Sequence, residues 1–424
     1  MKRRHFLTAT GTAAAWRPSR AAPAPQPQRL VVAAFPLVDK IVEAAMPAWQ
    51  AQHPGVEVQV ISKQYADHHT AMTTALSTSG SGSASMPDVM ALESTYMGRF
   101  SLCQGLENLS AAPFNAERHR EAFTPFAFEQ ARNRQGGIVA LPADIGPGTL
   151  LYRKDLLDRA GLAEADLTRS WESYVDSGRK LKAATGARLI GDVKLLKDIM
   201  IRSGAAPGDG MFYDAQQRPL VTSPRFVRAF ELCRQVRREG LDGGVEVWRN
   251  DWAESLKRGR LATEMSGCWM VGQLANWVAP ETRGLWRSAP LPEQTYVSYG
   301  GTYYVIPRRS DPARKALAWS LIQTMTLDRQ RQLDTFRAQD AFPALLAAQE
   351  DPFFDEPLPF LGGQRARLLW RDLARKIRAQ APHRQATFAQ EVINGELDNV
   401  LAYGKDVRTA LADAERVLAL RAKR

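Results

Sequence analysis

The sequence has little cysteine and no hydrophobic run long enough to cross a membrane. Its 424 residues include only three cysteines, Cys103, Cys233 and Cys268, which are too few and too widely spaced for a disulfide framework or a cysteine-based metal knuckle. Whether any two of them pair stays open. No stretch reaches the roughly 18 uncharged apolar residues that a membrane-spanning helix needs. These absences leave an ordinary globular composition, with room for two or three domains.

Signature motifs of common enzymes are also missing. The sequence contains no His-Glu-x-x-His, no Gly-x-Ser-x-Gly and no Cys-x-x-Cys, so the usual metalloprotease, hydrolase and redox centres find no support. The only adjacent histidines, His68 and His69, point apart on a helix, which argues against shared metal ligation. We therefore expect no metal, no cofactor and no catalytic residue.

The formal net charge of +11 raises the alternative of a nucleic-acid binder. Five basic residues and no acid lie in the first 24 positions, and the remaining basic residues are interspersed among the 45 acidic ones. A nucleic-acid binder needs a contiguous Lys/Arg stripe. A mixed, solvated surface is the better interpretation, and we expect no nucleic-acid partner.

The amino terminus has the three regions of an export signal. Paired arginines and Phe6-Leu7 come first, a weakly apolar stretch extends to Trp16, and small residues follow Arg20. This order predicts a twin-arginine-type signal peptide over residues 1–24, with cleavage between Ala21 and Ala24 and a periplasmic destination. The alternative is a basic disordered tail.

Apolar patterning predicts an α/β fold. A buried strand over 29–37, an amphipathic helix over 39–50 that contains Pro47, and a second strand over 56–60 together suggest a parallel sheet. Further strands are predicted over 86–92, 136–142, 150–155 and 296–306. Helices are predicted over 66–78, 154–161, 171–184, 195–203, 226–239, 251–258 and 312–338.

The order of these elements suggests two lobes that the chain crosses more than once, because strands return near residue 300 after a long helical region. The tail beyond 404 carries an apolar stripe that we expect to dock on a domain. Its members are Val407, Ala410, Leu411, Ala414, Val417 and Leu418.

Several segments, in this order and spacing, resemble the family 1 extracellular solute-binding proteins of ABC importers, a class that includes maltodextrin-binding and glycerol-phosphodiester-binding proteins. The resemblance covers nearly the whole chain after the signal. One departure is Arg153, where the family usually has Asn, and a second is the stretch 185–220, which matches no family pattern. The matching segments are 54–60, 86–89, 137–142, 151–162, 170–172, 256–269, 299–301 and 341–343.

The resemblance implies a two-lobe periplasmic binding protein type II fold with a ligand cleft and a multi-segment hinge. Lobe 1 would comprise residues 25–148 and 297–340, and lobe 2 would comprise 149–296 and 341–424. The hinges would fall near 147–150, 294–299 and 338–343. Ligands of such sheets bind beyond the carboxyl ends of strands, where loops converge.

A carbohydrate site needs aromatic platforms for C–H faces and polar groups for hydroxyls. Among the tryptophans we expect Trp269 to be such a platform, and Trp277 and Trp286 to be core residues. Paired glycines allow a ligand to approach backbone amides closely. The predicted ligand-binding residues are Tyr65, Glu93, Asp144, Trp269, Tyr299, Gly300, Gly301 and Tyr303.

The leading hypothesis is a monomeric periplasmic receptor. It would capture a carbohydrate, polyol or glycerol phosphodiester and deliver it to an inner-membrane ABC permease. The alternative is an exported carbohydrate-processing enzyme with two facing carboxylates, for which Glu93 and Asp144 are the candidates. The sequence leaves the identity of the ligand open.

Overall fold

The structure, a computed structural model, describes residues 28–77, 86–203, 205–206 and 208–422. The predicted signal peptide, residues 1–24, lies outside this part of the chain. No helix among the described residues is both long enough and apolar enough to cross a membrane. The described strands are β1 (Gln28–Ala34), β2 (Val56–Ser62), β3 (Val89–Glu93), β4 (Leu141–Arg153), β5 (Thr263–Gly267), β6 (Trp286–Ala289) and β7 (Ser298–Val305).

Helices surround these strands. They are α1 (Val38–Gln52), α2 (Tyr65–Ser77), α3 (Ser94–Ser101), α4 (Pro125–Gln130), α5 (Lys154–Arg159), α6 (Glu164–Thr168), α7 (Trp171–Thr185), α8 (Val193–Arg202), α9 (Pro224–Arg238), α10 (Asn250–Lys257), α11 (Met270–Gln273), α12 (Pro312–Leu327), α13 (Arg329–Gln339), α14 (Leu346–Gln349), α15 (Ala366–Ala374), α16 (Ala386–Tyr403) and α17 (Val407–Ala422).

One mixed sheet organises the fold, with strand order β2-β1-β3-β7-β4-β5 and β6 also paired with β4. Strand β1 is parallel to both β2 and β3, which confirms the predicted strand–helix–strand unit and the α/β class. From Leu30 onward β1 is apolar and mostly buried, because helices cover such a parallel sheet. Helix α1 continues through Pro47 to Gln52.

The prediction of two separate strands over 136–142 and 150–155 is wrong. The chain forms one strand, β4, which pairs with β7 in its first half and with β5 and β6 in its second half. Gly146, Pro147 and Gly148 lie within this strand, which accommodates them with a register irregularity between Ile145 and Pro147. A Cβ at Gly146 would clash with the carbonyl oxygen of Tyr299, so the close approach of β4 and β7 requires glycine there.

Two hydrophobic clusters lie on either side of this long strand pair. The first packs around β1–β3, α1 and α12, and also takes in Trp286, Phe342 and Trp370. The second is formed by α5, α7–α9, α16 and α17. Phe342 and Trp370 belong to the segment that the sequence assigned to lobe 2, so the exact lobe boundaries stay a prediction.

Helix α17 packs against α9 and α16, as the apolar stripe predicted. Its Leu411, Ala414 and Leu418 are fully buried. The inclusion of Val417 in the stripe is wrong, because Val417 is 43% exposed. It lies about 100° around the helix from Leu418.

The three cysteines are free thiols in the structure, with Cys233 and Cys268 buried and Cys103 half-buried. Trp286 is fully buried, which confirms its predicted place in the core. The same prediction for Trp277 is wrong, because its side chain is 73% exposed. It lies on the outer side of a short helical turn, Leu274–Val278, whose two end residues are buried instead.

Candidate functional site

A cleft of about 880 Å³ lies between the two lobes. Helices α2, α3 and α4 contribute one side, and α8, α9 and the loop between them contribute the other. Strands β4 and β7 form the floor, and the segment 376–390 closes a third side. This volume is within the range of small-molecule sites and suits a ligand of one to a few sugar-sized rings.

One side of the cleft, which we call the aromatic wall, consists of Tyr65, Tyr96 and Phe126. The Tyr96 ring stacks on His69 with a centroid distance of 3.9 Å, and Tyr65 meets Tyr96 edge-on at 5.8 Å. His69 accepts the Glu93 backbone N–H at 3.1 Å and donates from Nδ1 to the Tyr65 carbonyl at 2.8 Å. Burial lowers the pKa of His69 to about 4, so a neutral imidazole holds the two tyrosines in place.

Glu93 lies behind this wall and is only 9% exposed. Its carboxylate accepts the Tyr65 hydroxyl at 2.9 Å, the Ser94 hydroxyl at 2.7 Å and the Thr95 backbone N–H at 2.9 Å. It therefore caps α3 and fixes Tyr65. Burial, and then the charge of Glu93, raise the pKa of Tyr65, so the phenol stays protonated.

Asp144 lies half-buried on the floor, on β4. Burial raises the pKa of its carboxyl to about 6, the charge of Glu93 adds to this effect, and hydrogen bonds from Thr302 partly oppose it. The Glu93 carboxylate already accepts three hydrogen bonds within the protein. Glu93 and Asp144 therefore do not form two free, facing carboxylates. The arrangement gives no support to the paired-carboxylate alternative.

Gly300, Gly301 and Tyr303 also line the floor. The two glycines have φ values of 89° and 122°, a conformation that favours glycine. A Cβ at Gly301 would lie 2.9 Å from the Asp144 carbonyl oxygen, so the paired glycines allow β7 to pass close to β4. Tyr303 is 2% exposed, and its hydroxyl donates to the Ala127 carbonyl at 3.0 Å.

Trp269 and Tyr299 are not among the described residues that line this cleft. The Trp269 indole N–H donates to the Tyr299 carbonyl at 2.7 Å, and its ring stacks on Trp248 at 6.1 Å. The Arg202 guanidinium lies 5.4 Å from the centroid of the Tyr299 ring. Both residues therefore brace the crossing of β4 and β7, and their contact with a ligand stays a prediction.

The opposite side of the cleft was missed by sequence reasoning. Arg202, Tyr213 and Arg225 line it, from α8, α9 and the loop between them, and His383 of the adjoining third side stacks on Tyr213. For Arg202 and Tyr213 the signal was indirect, since they lie in the stretch 185–220 that matched no family pattern, and the sequence analysis gave no signal for Arg225 and His383. We call these four residues the donor wall.

Helix α8 carries Arg202 in its last turn, where a cation interacts favourably with the helix dipole. Arg225 lies in the first turn of α9 and donates from Nη2 to the carbonyls of Met211 at 2.8 Å and Gly210 at 3.2 Å. These bonds hold the loop between α8 and α9 against the cleft. Among the described residues, no cluster of three or more metal-ligating side chains occurs.

The geometry defines the class of two-lobe receptors, in which a mixed α/β sheet spans two lobes and a ligand-sized cleft lies between them. A family model described as bacterial extracellular solute-binding protein matches residues 35–332. The chain belongs to this family, as the sequence resemblance indicated.

Solved structures agree with the assigned fold. A structure described as extracellular solute-binding protein family 1 has a TM-score of 0.77 and 21% identity, and covers 94% of this chain and 100% of its own. The sugar-binding protein MalE from Xanthomonas citri has a TM-score of 0.76 at 18% identity, covering 93% and 98%. An ABC transporter associated binding protein from B. animalis subsp. lactis Bl-04, in complex with β-1,6-galactobiose, has a TM-score of 0.74 at 19% identity, covering 93% and 98%.

Proposed function

We propose that this solute-binding protein is a periplasmic receptor that captures a carbohydrate or polyol-type ligand and delivers it to an ABC importer in the inner membrane. The observation that carries the proposal is the aromatic wall facing polar groups across the cleft. Tyrosine rings offer apolar faces to the C–H surfaces of a sugar, while neighbouring polar groups exchange hydrogen bonds with its hydroxyls.

The relatives support the same ligand class. MalE from X. citri is a sugar-binding protein, and the B. animalis protein holds a galactobiose. The twin-arginine-type signal at residues 1–24 supports export into the periplasm. Closure around the ligand would shift the population of lobe arrangements, because contacts to both walls form only in the closed state.

A thermal-shift screen of the mature protein tests the proposal. The panel comprises β-1,6-galactobiose, other neutral and acidic mono- and disaccharides, polyols and glycerol phosphodiesters. A ligand at 100 times its dissociation constant stabilises the fold by about 2.7 kcal/mol, and we expect at least one panel member to do so. Recovery of that ligand unchanged supports a receptor, and its consumption would make the protein an enzyme.

A pair of tyrosine variants places the binding site. We expect Tyr96→Ala to abolish most of the thermal shift, because Tyr96 belongs to the aromatic wall. The matched control is Tyr403→Ala, since Tyr403 is 84% exposed at the end of α16. An unchanged thermal shift in Tyr96→Ala would show that the ligand binds elsewhere.

A further inference from the structure

The donor wall contains four buried polar atoms that have no hydrogen-bond partner among the described residues. They are Arg202 Nε, Tyr213 Oη, Arg225 Nη1 and His383 Nε2. A buried polar group without a partner carries an uncompensated desolvation cost, and a cluster of such groups needs an explanation. All four belong to residues that line the cleft, so a ligand in the cleft is the natural source of partners.

The protonation of His383 follows from its surroundings. Its Nδ1 accepts the Gln385 backbone N–H at 3.1 Å. Burial, assisted by Arg134 and Arg384, lowers the pKa of the ring to about 4, so the ring is neutral at neutral pH. The single ring proton therefore lies on Nε2, which makes this atom a donor.

The two arginine atoms can only donate. The Tyr213 hydroxyl can donate or accept, and its ring stacks on His383 with a centroid distance of 3.5 Å. Three of the four unpartnered atoms are therefore strict donors. Apart from the Tyr213 hydroxyl, the unpartnered atoms of this wall offer no acceptor to a sugar hydroxyl, and they match a group that only accepts hydrogen bonds.

The charges around this wall are also unbalanced. Among the described residues, neither Arg202 nor Arg225 forms an ion pair, whereas Arg228, on the same helix as Arg225, pairs with both Glu172 and Glu293. Asp209 is close enough to act on Arg225 electrostatically. Lys376 and Arg378 add two more cations to the lining.

We propose that the occupant of the cleft is an anionic saccharide or sugar-like polyol, whose carboxylate or phosphate is bound by Arg202, Arg225 and His383. The inference rests on the proposed function and specifies its substrate class. The anion supplies acceptors to donors that are otherwise unpartnered, and arginine suits carboxylate and phosphate geometry. The sugar ring then contacts the aromatic wall.

Calorimetric titration with matched ligands tests this inference. The pairs are galactose with galacturonate, cellobiose with cellobiouronate, and glycerol with glycerol 3-phosphate. We expect the acidic member of at least one pair to bind at least tenfold more tightly than its neutral partner, and added salt to weaken only the acidic member. Preference for a uronate identifies a carboxylate ligand, and preference for glycerol 3-phosphate identifies a phosphate ligand.

Two variants remove the proposed contacts. We expect Arg225→Gln and Arg202→Gln each to weaken the acidic ligand at least tenfold and to change the neutral ligand less than twofold. Arg202 makes no side-chain hydrogen bond among the described residues, so its variant keeps the test valid if Arg225→Gln fails to fold. The control is Arg234→Gln, which removes the same charge from the same helix at a residue that pairs with Glu231 and does not line the cleft.

Three outcomes would overturn the inference, and the first of them separates it from the proposed function. Equal or tighter binding of the neutral partner in every pair overturns the inference and leaves a carbohydrate receptor standing. Absence of binding by every saccharide, acidic or neutral, overturns both. Equal weakening of the acidic ligand by Arg234→Gln would also overturn the inference, because it would assign the effect to net charge.

Discussion

The two walls of the cleft are built in opposite ways. On the aromatic wall, the Tyr65 hydroxyl donates to Glu93, and His69 behind the wall bonds to two backbone groups. On the donor wall, buried N–H groups of Arg202 and Arg225 have no partner among the described residues. The first wall offers a preformed apolar surface, and the second offers buried hydrogen-bond donors that an accepting ligand would partner.

From this difference we expect the two walls to have separate tasks in ligand binding. A stacked aromatic surface contributes affinity through buried area and discriminates weakly between sugars of similar shape. Buried donors discriminate strongly, because a ligand without the matching acceptor leaves them unpaired. Ligand affinity should therefore depend on both walls, and selectivity for an anion should depend on the donor wall alone.

The largest expected effect concerns Asp144, at the foot of the cleft. Its folded pKa is about 6 against an ordinary value of 3.8, so the folded protein retains a proton that the unfolded chain releases. Asp144 therefore lowers the free energy of unfolding as the pH rises from about 4 to 6. Above pH 6 this loss amounts to at most about 3 kcal/mol.

The variant Asp144→Asn removes this penalty. We expect it to match the wild type near pH 4 and to exceed its free energy of unfolding by about 2–3 kcal/mol at pH 7, as measured by denaturant titration across the range. A wild-type protein that gains stability over the variant as the pH rises would contradict the assignment.

The next effect concerns the aromatic wall. We expect Tyr96→Ala to weaken acidic and neutral saccharides alike by about ten- to a hundredfold, or about 1.5–3 kcal/mol, because a contact surface is lost. Calorimetric titration measures both ligands. A loss of affinity confined to the acidic ligand would show that anion selectivity does not depend on the donor wall alone.

A smaller effect is expected from His383 on the donor wall. His383→Phe keeps a ring to stack on Tyr213 and removes the Nε2 donor. We expect the affinity for an acidic ligand to fall about three- to tenfold, or about 1 kcal/mol. In the wild type, the contribution of His383 should be constant between pH 6 and 8, because its pKa is about 4. An unchanged acidic affinity in this variant would remove His383 from the donor wall.

The smallest expected effect concerns the bridge between the two walls. Gln130 of α4 exchanges two hydrogen bonds with the Gln380 backbone, at 2.9 and 3.0 Å, and the Gln380 side chain donates to the Arg202 carbonyl at 3.0 Å. We expect Gln130→Ala to weaken every ligand two- to fivefold, below about 1 kcal/mol, and to increase the radius of gyration in small-angle scattering. Unchanged scattering would show that this bridge does not hold the lobes together.

Local sequence patterns predicted those elements of the fold that short stretches of sequence determine. The strand–helix–strand unit from β1 to β2 follows from the apolar run and the alternation that the sequence displays. Strands β5 and β6 were missed because they are short and polar. Their Thr263, Glu264 and Ser288 are buried only because Tyr174, Trp252 and Trp370 supply hydrogen bonds from distant positions.

The residues of the cleft also fall into a predicted group and a group that the sequence did not reveal. Tyr65, Asp144, Gly300, Gly301 and Tyr303 were predicted as ligand-binding residues, and the structure places all of them in the cleft lining. The family pattern located them because they follow strands of the shared sheet. The donor wall was not predictable, since Arg202 and His383 lie far apart in the chain and reach the same cleft only in the folded protein.

The most direct test of two separate walls is a double-mutant cycle with Tyr96→Ala and Arg225→Gln, measured by calorimetric titration of the preferred acidic saccharide. If the two walls contact different parts of one ligand, the two losses in binding free energy should add to within about 0.5 kcal/mol. The account would be contradicted if the double variant bound the ligand as tightly as the single variant with the larger loss of affinity. Both residues would then act on the same part of the ligand.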